Sequence, residues 1–220
     1  VILLGDESGY EVGDVQKTKL AAIEAEWETA EPPAAFTLFG WPNDETMETD
    51  YAVKIPYLLG IIATRSVTEP VTGIKDLRAE HEDRVRNGMK AYALLKQLRD
   101  GPVTEETKAE FDKVKDDLGY GLLLKKYTNN VTDATDEQIK AAAHDTVPPV
   151  APMFWAFRIM VASGFAMLII FFLSFYHCAK RQEYKKKWLL RLAMLGLPLP
   201  WIAAETGWFV AEFGRLPWTI

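Results

Sequence analysis

Trp201, Glu205, Trp208 and Glu212 recur at helical spacing inside an apolar stretch, Trp188 to Phe213, and fall within about 60° of one another on a helix. A charge at the centre of a membrane helix costs roughly 2.5–3.5 kcal/mol, so such residues serve something inside a bundle. A stripe alternating indole and carboxylate can be a proton path, a cation site or a haem pocket in which carboxylate ligates iron. In the preceding apolar stretch, Val150 to Ala179, Met153, Met160 and Met167 repeat every seven residues on one face, and Arg158 is the only Asp, Glu, Lys or Arg. Thioether sulfur is a soft axial ligand of haem iron, and it is equally a flexible apolar filler. Arg158 needs an anion at that depth, for which a haem propionate is a good bidentate partner. A redox cofactor is the first chemistry these residues suggest.

Other candidates are weaker. His81 lies on a charged helical stretch, His144 close to solvent and His177 at a membrane boundary, so all three read as surface residues. Asp6, Glu7, Glu11 and Asp14 lack the spacing of a calcium loop and read as a solvated acidic face. Lys19 and Glu24 lie on an amphipathic helix near the start of the chain. Asn130-Val131-Thr132 fits a glycosylation sequon, a match common by chance.

The elements that must position these residues divide the chain in two. Residues 151–220 carry a net charge of +5 within a chain of −6, leaving −11 on residues 1–150. An acidic polar part is joined to a basic-flanked apolar one, and the absence of a basic face in the polar part argues against nucleic acid as a partner. Ile159 to Tyr176 is an uncharged run of 18 residues, which with its flanks reaches the ~20 needed to cross a bilayer. Residues 150–179 are therefore expected to span the membrane. Residues 188–213 are expected to do so a second time, kinked at Pro198 and Pro200, with Arg191 snorkelling to headgroups. The connector 180–187 is rich in Lys and Arg, with Glu183 its one acidic residue, so it is expected on the cytoplasmic side. Residues 1–149 and 214–220 then lie outside. Val1-Ile-Leu-Leu reads as the end of a preceding helix, and the chain as a fragment of a larger membrane protein. The single cysteine, Cys178, excludes an internal disulfide.

Within the outer part, helices are expected over Asp14 to Trp27, Leu77 to Leu98 and Thr104 to Leu118. Thr135 and Gln138 resemble a capping box that opens a short helix to His144. Pro32, Pro33, Gly40, Pro42 and Pro56 mark a loop-rich stretch with little regular structure. The expected fold class is all-α.

Gly5-Asp6-Glu7-Ser8-Gly9-Tyr10, Lys17-Thr18-Lys19-Leu20-Ala21-Ala22-Ile23-Glu24, Phe157-Arg158-Ile159-Met160 and Glu212-Phe213-Gly214-Arg215-Leu216-Pro217-Trp218 resemble segments of subunit I of the cytochrome bd ubiquinol oxidase family, in family order. The resemblance implies that residues 1–149 are the extracytoplasmic quinol-binding loop in its long form, with Lys19 and Glu24 binding and oxidising quinol. It implies Met160 as axial ligand of a low-spin haem b, with Arg158 stabilising the reduced haem. Glu212 is implied as ligand of a high-spin haem b, Trp208 as a neighbour of the haem pair, and Arg215 as a propionate partner; Glu205 joins this cofactor-binding set. Leu216 stands where the family has glutamine, which leaves local hydrogen bonding there in doubt. The family's histidine ligands would lie on helices outside this segment.

The implied reaction oxidises ubiquinol or menaquinol at the outer face of the bacterial inner membrane. Electrons pass by way of haem b to a high-spin haem b and haem d, and oxygen becomes water. Implied partners are a second large oxidase subunit, a small single-span subunit and membrane lipid. The alternative is a non-catalytic membrane protein whose acidic extracytoplasmic domain binds a partner or ligand. It treats Arg158 and Glu205 as helix-packing residues.

Overall fold

The computed structural model describes residues 2–101, 104–181 and 186–215. Two short helices open the chain, α1 (Ile2–Val15) and α2 (Lys17–Glu24). The helix expected over Asp14 to Trp27 is thus broken at Gln16, and it ends three residues early. Ala25 stops it by entering the left-handed region (φ 51°, ψ 43°). Glu26 N–H then donates to Ala21 O at 2.9 Å and Ala25 N–H to Ala22 O at 3.3 Å. This is the Schellman closure, built here on alanine instead of the usual glycine.

The all-α expectation is corrected by an antiparallel hairpin, β1 (Phe36–Asn43) with β2 (Glu48–Ile55), in the stretch read as loop. Asn43 Oδ1 accepts from the backbone N–H of Glu45 at 3.0 Å and of Thr46 at 3.4 Å, and Met47 completes the turn with φ 53°. An Asx turn lets asparagine set the reversal. The flanking residues, Phe36, Thr37, Phe39 and Trp41 on β1 and Tyr51, Val53 and Ile55 on β2, are aromatic or β-branched and suit strands. Prolines and glycines masked that pattern.

Helix α3 (Leu58–Thr64) follows, then the long α4 (Ile74–Asp100), α5 (Glu105–Val114), α6 (Leu118–Leu122) and α7 (Asp136–His144). Helix α4 contains the expected stretch Leu77 to Leu98, and α5 is capped by the Thr104 side chain. The Thr135–Gln138 capping box opens α7 as expected. Val85, Leu124, Val131, Ile139 and Ala142 form the core between α4, α7 and the turns around them. His81 is not a surface residue: it is 6% exposed, its Nδ1 lies 2.6 Å from Thr146 Oγ1, and its ring tilts against Tyr120. The heptad of α4 turns that position inward although its sequence neighbours are charged.

Helix α8 (Val150–Ala179) is continuous over 30 residues and is the one described helix long and apolar enough to cross a membrane. Its first turns are buried against the outer domain, with Met153 and Phe154 at 0%. Much of its remainder is bare: Phe165, Phe172 and Phe175 are 62–74% exposed. Such a surface is suited to hydrocarbon or to neighbouring helices.

The second apolar stretch is two helices, α9 (Lys187–Leu195) and α10 (Leu199–Phe213), instead of the one kinked helix expected. Pro198 and Pro200 lack the amide donors a continuous helix needs, and their rings would clash with carbonyls four residues earlier. The chain crosses the gap through turns, Leu197 N–H to Met194 O at 3.2 Å and Leu199 N–H to Gly196 O at 3.1 Å. Helix α10 packs lengthwise on α8. Glu183, Lys185 and Leu216 lie outside the described residues.

Candidate functional site

The strongest cluster of charge forms where the outer domain meets the first turns of α8. Arg158 is anchored there by six hydrogen bonds. Its Nη1 donates to Ile23 O at 2.8 Å and Phe154 O at 3.2 Å, and its Nε to Thr37 O at 3.1 Å and Leu38 O at 3.2 Å. Its Nη2 donates to Thr37 O and, at 3.1 Å, to Glu24 Oε2. The guanidinium also lies over the Phe154 ring, 3.3 Å from its centre. Within this chain the anion beside Arg158 is Glu24. The side chains of the pair are 10% and 4% exposed. Burial pushes the Glu24 carboxyl up to about 7, against the opposing pull of Arg158.

Three elements converge to build this contact. Helix α2 supplies Glu24 and the Ile23 carbonyl at its end, where carbonyls are free of helical partners. Strand β1 supplies the carbonyls of Thr37 and Leu38, and the hairpin is docked on α8 by edge-on contacts of Phe39 and Trp41 with Trp155, ring centres 5.3 and 5.7 Å apart. Neither the strand carbonyls nor the hairpin was visible in the sequence reading.

Lys19 lies at a second junction, against the end of α10. It is 8% exposed. Its aliphatic stem crosses Gly214 so closely that a Cβ there would stand 2.6–2.7 Å from three of its carbons. Only glycine permits the approach. Burial lowers the pKa of the Lys19 ammonium, the Arg215 charge lowers it further, and Glu212 opposes both. Helix α2 therefore brings Lys19 to the Glu212–Arg215 end of α10 and Glu24 to Arg158 of α8.

Met160 sits between the two apolar helices, its Sδ 3.0 Å from where a Cβ on Gly207 would be. Of the three methionines, Met153 is wholly buried in the core of the outer domain, and Met160 and Met167 are half-buried. The tryptophan–carboxylate stripe occupies the side of α10 away from α8. Trp201 and Trp208 are 68% and 64% exposed, Glu205 is exposed, and Glu212 is half-buried with its Oε1 3.8 Å from Arg215 Nη1. The stripe is one face, as its periodicity predicts, but within this chain it faces outward.

The donor set is compatible with haem in part. A thioether in the cradle left by Gly207 and a loosely held carboxylate beside a free-standing indole face have the chemistry of iron ligands and macrocycle packing. Arg215, half exposed, is available to an anionic substituent; Arg158 is committed to Glu24 and to carbonyls. Among the described residues no group of three or more His, Cys, Asp or Glu could hold a metal ion.

One feature of the region was missed in the sequence. Glu26, two residues beyond Glu24, is also buried, at 8% exposure, and lines an open cleft of about 590 Å³ between the segment after α2 and the hairpin.

All 220 residues match the family model described as cytochrome bd terminal oxidase subunit I. The chain is 42% identical over 217 residues to cytochrome bd-II ubiquinol oxidase subunit 1 of Escherichia coli (strain K12), covering 99% of this chain and 42% of that protein. It is 26% identical over 218 residues to cytochrome bd ubiquinol oxidase subunit 1 of Bacillus subtilis (strain 168), covering 99% of this chain and 35% of that one. The chain thus spans about two-fifths or less of the length of these relatives.

Proposed function

The chain belongs to the cytochrome bd terminal oxidase subunit I family, and from that premise we propose that it is the quinol-oxidising and haem-ligating part of a respiratory oxidase. In this reading residues 1–149 lie on the outer face of the bacterial inner membrane, with 150–179 and 188–213 as spans. The bare apolar surface of α8 supports the first span. For the second, α9 and α10 together supply the length that the 15 residues of α10, about 22 Å, do not.

Quinol, ubiquinol or menaquinol, binds near Lys19 and Glu24. The observation that carries the reading is the buried Glu24–Arg158 contact, two residues along α8 from Met160. A carboxyl poised at about 7 is partly ionised at neutral pH, so Glu24 can accept a hydroxyl proton and release it again. Lys19, its charge weakened by burial and by Arg215, can donate to a quinol oxygen.

Bound haem (low-spin haem b, high-spin haem b and haem d) supplies the electron acceptors through which oxygen is reduced to water. Met160 would hold the iron of low-spin haem b and Glu212 that of high-spin haem b, with Trp208 and Glu205 on the same face as Glu212 and Arg215 toward a propionate. Arg158 adds positive charge near Met160, which favours an added electron. Protons from quinol leave on the outer side and those for water enter from the cytoplasm, building a membrane potential. A second large subunit and a small single-span subunit complete the assembly.

The test uses the complete oxidase with Glu24→Gln. Quinol-driven oxygen uptake should fall at least a hundredfold, within the range for loss of a proton-transfer group, while uptake driven by an artificial reductant continues. Undiminished quinol oxidation would overturn the assignment.

A further inference from the structure

Glu24 is 3% exposed, so a proton it accepts has no direct route to bulk water. The next carboxylate along the chain is Glu26. The left-handed turn at Ala25 fixes it on the far side of the helix end, closed by its own N–H on Ala21 O at 2.9 Å. Among the described residues the Glu26 carboxylate accepts no hydrogen bond, although it is 8% exposed. Its oxygens are not among the buried polar atoms left without a partner, so the cleft they border is where they meet water.

That carboxylate borders the 590 Å³ cleft, which is open to solvent. Thr37 lines the same cleft, and its carbonyl accepts from Arg158 on the other side, so a single strand residue separates the cleft from the Glu24–Arg158 pair. The charged groups that act on Glu26 or line its cleft are Glu24 on α2, Lys54 and Glu48 on β2, Lys75 on α4, and Glu28 and Glu31 on the intervening segment. Lys75 is taken by Glu28 at 2.7 Å. Lys54 draws the Glu26 pKa down, but burial dominates and raises it, which suits a group that holds a proton briefly.

We propose that Glu26 is a proton-relay residue, passing protons from Glu24 to water in the cleft and so to the outer face. This deepens the reading of Glu24 as the quinol base and rests on it. As each quinol becomes quinone it gives up two protons, and two electrons for which bound haem would be the acceptor. A hydroxyl proton moves to the Glu24 carboxylate, then to Glu26, then to cleft water. Glu24 is thereby returned to its ionised form for the second proton.

The experiment compares Glu26→Gln, Glu26→Asp and Glu24→Gln in the complete oxidase. Glu26→Gln should lower quinol-driven turnover roughly tenfold or more, with KM for quinol, the haem absorption spectrum and artificial-reductant-driven oxygen uptake unchanged. Glu26→Asp should retain most turnover. Acetate, a weak acid small enough for the cleft, should restore part of the Glu26→Gln rate and flatten its pH profile. Wild-type turnover and pH profile in Glu26→Gln would overturn the relay, as would equal losses with artificial reductant, which would mark a structural role. Intact quinol oxidation in Glu24→Gln would sink the underlying reading instead, whatever Glu26→Gln does.

Discussion

Two glutamate–arginine pairs sit where the apolar helices meet the outer domain, and they are built in opposite ways. Glu24 and Arg158 come from elements 134 residues apart, are almost fully buried, and are wrapped in backbone carbonyls. Glu212 and Arg215 come from one helix end, are 3.8 Å apart and roughly half exposed. The first pair is complete within this chain and locks the outer domain onto α8. The second, with the indoles beside it, presents its chemistry outward. Low dielectric explains the difference in what each can do: a buried charge must have its partner, whereas an exposed one is free to take a new ligand.

The sharpest way to break the comparison is to remove each arginine. Arg158→Leu leaves the Glu24 carboxylate buried without its cation and should destabilise by about 3–5 kcal/mol. Arg215→Leu should cost under about 1 kcal/mol. Thermal unfolding of the purified complex reads both, and equal losses would erase the distinction. Next come the methionines. Met153→Ala empties a fully buried site and should cost about 2–5 kcal/mol while the low-spin haem signal persists; Met160→Ala should remove that signal in reduced-minus-oxidised spectra. Loss of the signal in both would mean general misfolding.

The last test concerns pH. Glu24 titrates at about 7 in the folded protein against 4.5 ordinarily, so the folded state holds a proton that the unfolded chain releases between those values. Its contribution to stability is therefore full below about 4.5 and is lost as pH rises through about 7. Quinol oxidation should move the other way, since the base must be ionised, and rise through about 7. Glu24→Gln should abolish the stability trend, while substitution at Glu212 should leave it in place.

Much of the architecture was legible because it is local. The apolar stretch Val150 to Ala179 predicts α8 to its observed ends, Thr135 and Gln138 predict a cap, and the period of Trp201, Glu205, Trp208 and Glu212 predicts one face. The hairpin was not legible, because its reversal depends on one asparagine turn and its strands gain stability only by docking on Trp155. His81 looked like a surface residue since sequence gives its charged neighbours but not the element that covers it.

By itself the sequence determined where the apolar stretches and the helix cap fall and which helical face each residue takes, because side-chain type and a 3.6-residue period are properties of short segments. Only the tertiary structure decided the pairings. Arg158 met Glu24, Lys19 reached the far end of α10, and Glu26 became a buried carboxylate on a cleft. Those outcomes depend on burial and on contacts between distant segments, and both arise only when the outer domain closes onto the apolar helices.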